Sequence, residues 1–252
     1  MKLFQTQRLP DRARVQSALQ TLKTDLSRSL EDDLISLILY GDFIKEMGFR
    51  VATGPVNVML VLRHISCQRL DKISPVIRKA EKAFPLAIMT LTEEDIKTSC
   101  DVFPVKFHDM QRFHRLLAGR DVLSDLAISD DNLRLRCEQQ LKNLMIRLRA
   151  AYLRRNKGEQ ELSGILSEAA NHFLRDTAAC LFLKTGVAPE DESDLSEDFG
   201  QHFKIDVSVM QDLLQLRDRQ TPPRSQELTD LFDRFMKLVH DAAIAVDALE
   251  AN

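Results

Sequence analysis

The chain has 252 residues, with 35 Lys and Arg against 38 Asp and Glu, for a formal charge of −3. Apolar residues make up 44% and charged residues 29%, an ordinary globular balance for one large domain or two ordinary ones that excludes a disordered or collagen-like chain. The charge gives no global pull toward nucleic acid or anionic lipid, and the longest apolar stretch, Leu34 to Tyr40, is far too short to span a bilayer.

After Pro10, Val15, Leu19, Leu22, Leu26 and Leu30 recur at helical spacing and predict an amphipathic helix ending near Glu31. Leu34 to Tyr40 reads as a buried strand stopped by the turn signal Gly41-Asp42. Val56 to Leu62 is a second strand, rich in β-branched residues. Asp42 is expected to cap a short helix from Phe43 to Met47. Arg69 to Phe84 reads as a helix with Ser74 as its cap and Pro75 in the first turn, and Pro85 stops it. Leu86 to Leu91 is a third strand, Thr92 to Asp95 carries a capping signature for a helix to about Ser99, and Val105 to Met110 is read as a fourth strand.

From about Asp130 the pattern turns wholly helical. Leu133, Cys137, Leu141, Leu144, Leu148 and Tyr152 share one face of a long helix. A second helix runs from about Gln160 to Lys184 and is closed by Gly186. The acidic patch from Glu190 to Asp198 reads as a solvated loop and helix start. Two further helices follow, roughly Val207 to Arg217 and Ser225 to Leu249, divided by Thr221-Pro222-Pro223. The expected fold class is α+β: a small mixed sheet domain over residues 1–125, then an α-helical bundle domain over residues 126–252.

The polar N-terminus lacks the apolar core of a signal peptide, and the four cysteines stand more than thirty residues apart, so the reading is a cytoplasmic chain with reduced, buried thiols. With no Trp and few aromatics, a stacking platform for nucleic acid is not expected. The histidines never fall at the spacing of a helical metal pair; His108, Asp109 and His114 form the one local cluster, and its ordinary reading is structural. The arginines from Arg147 to Arg155 read as a solvated helix face.

A small mixed sheet opened by Leu39-Tyr40-Gly41, followed by a helical bundle, resembles the kanamycin-nucleotidyltransferase-like proteins of the polymerase-β superfamily. Phe103-Pro-Val-Lys-Phe107, Arg115 to Asp121 and Leu133 to Glu138 are similar to segments of many bacterial members. The resemblance implies a nucleotide site with a Gly-Ser turn after the first strand, two carboxylates one residue apart on the second and a third carboxylate on a later strand. Carried onto this chain, Gly41 is retained and Asp42 takes the Ser slot. The paired carboxylates fall on Pro55 and Asn57, or on Asn57 and Met59, and the third falls on Lys106.

Mg²⁺ requires oxygen ligands, carboxylates above all, so this departure removes the anionic cage of nucleotidyl transfer. The expectation is a degenerate, catalytically inactive nucleotidyltransferase-like protein acting as a binding or regulatory module. It needs no metal or cofactor, and its partner is a protein, a second copy as a homodimer, or a nucleotide, with no membrane contact. The alternative is a Mg²⁺-dependent enzyme that transfers a nucleoside monophosphate from an NTP to an acceptor, and a third reading is an interaction module without nucleotide contact. Lys106 is further expected to pair with Asp42 in the place of a metal.

Overall fold

The computed structural model describes residues 11–45, 54–155, 158–189, 191–219 and 221–249. In chain order, α1 (Arg12–Leu30) and a 3₁₀ turn (Glu31–Asp33) lead into β1 (Leu34–Tyr40), α2 (Asp42–Lys45), β2 (Val56–Leu62), α3 (Cys67–Glu81), β3 (Leu86–Leu91), α4 (Glu93–Ser99), α5 (Pro104–Arg112) and β4 (His114–Gly119). The helices α6 (Asp130–Arg154), α7 (Glu159–Thr185), α8 (Glu192–Phe203), α9 (Ser208–Asp218) and α10 (Ser225–Asp247) follow. The fold is α+β. The chain divides into a sheet unit, to residue 102 and again over 106–127, and a helical unit comprising 103–105 and 128–252.

The sheet order is β3-β2-β1-β4, with β1 antiparallel to both β2 and β4 and β2 parallel to β3. Period-two alternation sends Leu37 and Leu39 of β1, with Val56, Val58, Leu60 and Leu62 of β2, onto one face. There they meet the helical stripe of α1, Val15 to Leu30 at every third or fourth position, and Ile73 and Ala80 of α3. Bidentate pairing of Arg69 with Asp33, at 2.7 and 3.1 Å, ties the start of α3 to the entry of β1.

Two of the sequence expectations are corrected. The fourth strand is His114–Gly119, and Val105 to Met110 is helical within α5. Pro104 suits the first turn of a helix, where its missing N–H is no loss, and the less buried Lys106 and Asp109 stand three apart, which is helical and not strand spacing. The helix expected over Arg69 to Phe84 with Ser74 as its cap begins at Cys67 and is capped by Ser66, whose hydroxyl accepts the Arg69 amide at 3.3 Å. Pro75 therefore lies inside α3. Burying both Ile73 and Ala80 requires a helix that continues through the proline.

The Thr92 capping box is present in full: Thr92 Oγ1 accepts the Asp95 amide, and the Asp95 carboxylate accepts the Thr92 amide at 2.8 Å. Gly186 closes α7 in the left-handed conformation.

In the helical unit α6 packs along α7 and α10. Phe173 meets Phe199 and Phe235 edge to face at centroid distances of 5.9 and 5.8 Å, and Phe199 stacks on Phe203 at 4.4 Å. The acidic patch read as a solvated loop and helix start is helical from Glu192 onward, because Asp191 accepts the amides of Ser193 and Asp194 as N-cap and Leu195, Phe199 and Phe203 are buried. No described helix is long and apolar enough to cross a membrane.

Candidate functional site

The second face of the sheet carries the positions that the resemblance singles out. Register fixes three rows across it: His114–Tyr40–Asn57–Ala87, then Leu116–Ile38–Met59–Met89, then Ser36–Val61–Leu91. Cross-strand neighbours point to the same side, so Asn57 shares its row with a phenol and an imidazole. Ser36, Ile38, Met59 and Val61 are fully buried, so the deeper rows are apolar apart from one hydroxyl.

Gly41 leaves β1 at φ +78°, the left-handed turn that only glycine adopts at little cost. Its open side is occupied: a Cβ at this position would lie 3.3 Å from Nδ2 of Asn57. Its amide is also engaged, donating to the Phe113 carbonyl at 2.9 Å, while its own carbonyl accepts the Ile44 amide at the start of α2. Asp42 is the first residue of α2. The Asp42 side chain and the expected continuation of that helix through Glu46 and Met47 lie outside the described residues, and with them the expected Lys106–Asp42 ion pair. Pro55 precedes β2 by one residue.

Lys106, read from sequence onto a strand, sits in the first turn of α5, and its side chain reaches the sheet from there. Nζ lies 3.4 Å from Sδ of Met89, in the second row beside Met59. A thioether is a weak acceptor, so this contact places a cation at the sheet without neutralising it. The strand beside β2 is β3, and none of Leu86 to Leu91 carries a carboxylate.

The histidines separate. His108 is buried in α5, where desolvation first, and then Arg112, push it down to about 4 against the opposing pull of Asp109. His114 begins β4, with Nδ1 3.0 Å from the Gln111 carbonyl and Nε2 2.9 Å from Oδ2 of Asp121. Both ring nitrogens are thus engaged, one by a backbone carbonyl and one by a carboxylate. Burial raises the Asp121 carboxyl, but hydrogen bonds from His114, the Ser124 hydroxyl and the amides of Leu123 and Ser124 outweigh it and hold the group well below the usual carboxylate range. Sequence reading missed the partnership of Tyr40, Asn57 and His114 because it exists only through strand register. Among the described residues no group of three or more His, Cys, Asp or Glu side chains is placed to hold a metal ion.

The arrangement offers amide, phenol and imidazole groups in one row and an ammonium beside the next. Such groups bind by hydrogen bonding and positive charge; they do not form the oxygen-rich anionic cage that divalent cations select.

No family model and no curated protein matches the sequence. Ten chains of known structure match the fold. One is the crystal structure of spectinomycin adenyltransferase AAD(9) from Enterococcus faecialis with ATP and spectinomycin. It is 10% identical, with a TM-score of 0.54 over 89% of this chain and 99% of that one. The four-stranded sheet unit followed by the helical unit therefore has the fold of that nucleotidyltransferase structure.

Proposed function

We propose that this chain is a nucleotidyltransferase-like protein that has lost nucleotidyl transfer and serves as a binding or regulatory module. The observation that carries the reading is the site row itself: an amide at Asn57 fills the space beside Gly41 where the resemblance expects a triphosphate, and none of the residues of β1, β2 and β3 is a carboxylate. Without carboxylates on these strands to hold Mg²⁺, the charge that develops in transfer has no counterweight from the sheet. A nucleotide reaching this face would be held without metal, by Lys106 and the polar row.

The fold likeness favours a second reading, Mg²⁺-dependent transfer of a nucleoside monophosphate from an NTP, since the structural neighbour is an adenyltransferase with ATP. A thermal-shift panel of ATP, GTP, CTP and UTP with and without Mg²⁺ separates the two. Ligand at about ten times its dissociation constant raises stability by roughly 1.4 kcal/mol. The module reading expects no Mg²⁺-dependent shift; a shift that needs Mg²⁺ would overturn it and establish the second. The variant Pro55→Asp/Asn57→Asp is expected to gain Mg²⁺-dependent nucleotide binding that the native chain lacks.

A further inference from the structure

Asp176 of α7 is 7% exposed, yet among the described residues no hydrogen bond and no ion pair reaches its carboxyl. A buried polar group left without a partner is rare in a folded chain and calls for a reason. Three cations stand around it without touching it: Arg175, Arg147 and Arg136 all act on the Asp176 carboxyl through space. Desolvation outweighs their pull, so the carboxyl keeps its proton up to about 7.

The arginines come from two helices. On α6, Arg136 and Arg147 are eleven residues apart, so they share one face about 16 Å apart along the axis, with Gln140 between them on the same face. Oε1 of Gln140 is also buried and has no hydrogen-bond partner. On α7, Arg175 donates to Nδ1 of His172 at 2.6 Å. A guanidinium only donates, so that nitrogen accepts, and burial with Arg175 and Arg147 holds the ring down at about 4, neutral at physiological pH. Nε2 of His172 lies 3.9 Å from Glu168, whose side chain is 59% exposed. Arg136 donates to the Gln139 side chain at 2.6 Å. None of the three arginines is thus neutralised by contact with a carboxylate, whereas Arg134, Arg217 and Arg234 of the same unit each pair with one.

From this arrangement we infer an oxyanion site between α6 and α7 that takes the phosphate group of a small ligand on Arg136, Arg147 and Arg175, with the Asp176 carboxylic acid as a hydrogen-bond donor at its floor. Guanidinium groups match phosphate oxygens in geometry and charge. A protonated carboxyl adds one more donor, while its ionised form would take the arginines for itself and repel the anion. The cations converge on one buried carboxyl instead of following a track, and the site has no open ring for a base, since Tyr152 is stacked between Arg155 and Phe232. Both features favour a small phosphate ligand over a nucleic-acid backbone. Every residue of the site belongs to the helical unit, so it does not rest on the reading of the sheet face.

The test is calorimetric titration of the full chain with inorganic pyrophosphate in metal-free buffer from pH 6 to pH 8. Binding is expected, and its affinity is expected to fall about tenfold across that range as Asp176 loses its proton. His172 and the Cys180 thiol, which burial pushes well up, both stay neutral over the same range. Pyrophosphate itself gains charge as pH rises, so its own ionisation would act in the opposite direction. Arg147→Gln and Arg175→Gln are each expected to weaken binding by about tenfold or more, with unchanged far-ultraviolet circular dichroism. Asp176→Asn is expected to bind at pH 8 as the native chain does at pH 6. Absence of binding at millimolar pyrophosphate would overturn the inference. So would an affinity that both arginine variants leave unchanged, a fall with pH that survives Asp176→Asn, or a loss of binding on Lys106→Gln alone, which would seat the anion at the sheet. Capture of a single-stranded oligoribonucleotide in place of pyrophosphate would overturn it in favour of a nucleic-acid backbone.

Discussion

Gly119 ends β4 at φ +79°, and a Cβ there would stand 2.1 Å from the Ile35 carbonyl oxygen. Gly119→Ala therefore carries the left-handed cost of about 1–2 kcal/mol and an overpacking cost of about 1–3 kcal/mol, because the obstacle is backbone. Gly41→Ala meets only the Asn57 amide at 3.3 Å and is expected to lose about 1–2 kcal/mol. Urea unfolding of the two variants should rank them in that order. Burial raises Asp176 to about 7 despite Arg175, Arg147 and Arg136 nearby. Between its unfolded value near 3.8 and about 7 the folded state binds the proton that the unfolded state has released, so this group lowers stability as pH rises through that window. His108 and His172, both lowered to about 4, act with the opposite sign from pH 4 to 6.5. The contribution of Asp176 is isolated by difference: Asp176→Asn should melt higher than the native chain at pH 7.5, and the gap should close toward pH 4.

At the scale of elements, α3 tolerates Pro75 because the ring is exposed and the helix is held on both sides of it by Ile73 and Ala80. Pro75→Ala restores a backbone donor in mid-helix and is expected to raise stability by about 1–3 kcal/mol, read from the urea midpoint. The capping box of α4 was legible in sequence because Thr92 and Asp95 act on neighbouring amides, and such local chemistry needs no distant partner. The identity of α5 was not legible. Val105 to Met110 has β-branched and aromatic residues that satisfy either period over six positions, and only the pairing of His114–Gly119 with β1 decides which segment joins the sheet. Lys106 moved with it, from a strand position to a helix that delivers its ammonium to Met89.

For the molecule as a whole, the two units carry separate cores, one around α1, α3 and the sheet and one around α6, α7 and α10. Calorimetry of the full chain is expected to resolve two transitions. Phe235→Ala, which deletes a fully buried ring against Phe173, should lower only one of them, at a cost of about 3–5 kcal/mol to the helical unit. A single transition shifted as one would contradict this.

The sequence by itself determined the helices apart from α5 and the full extent of α8, three of the four strands, the α+β class and the absence of carboxylates at the expected positions. Periodicity, caps and residue identity are properties of neighbours along the chain. Tertiary structure alone decided the fourth strand and the row that joins Tyr40, Asn57 and His114. It also decided the filling of the space beside Gly41 and the burial that raises Asp176. Each of these depends on which distant residues meet, and strand register and desolvation are set by that meeting rather than by local pattern.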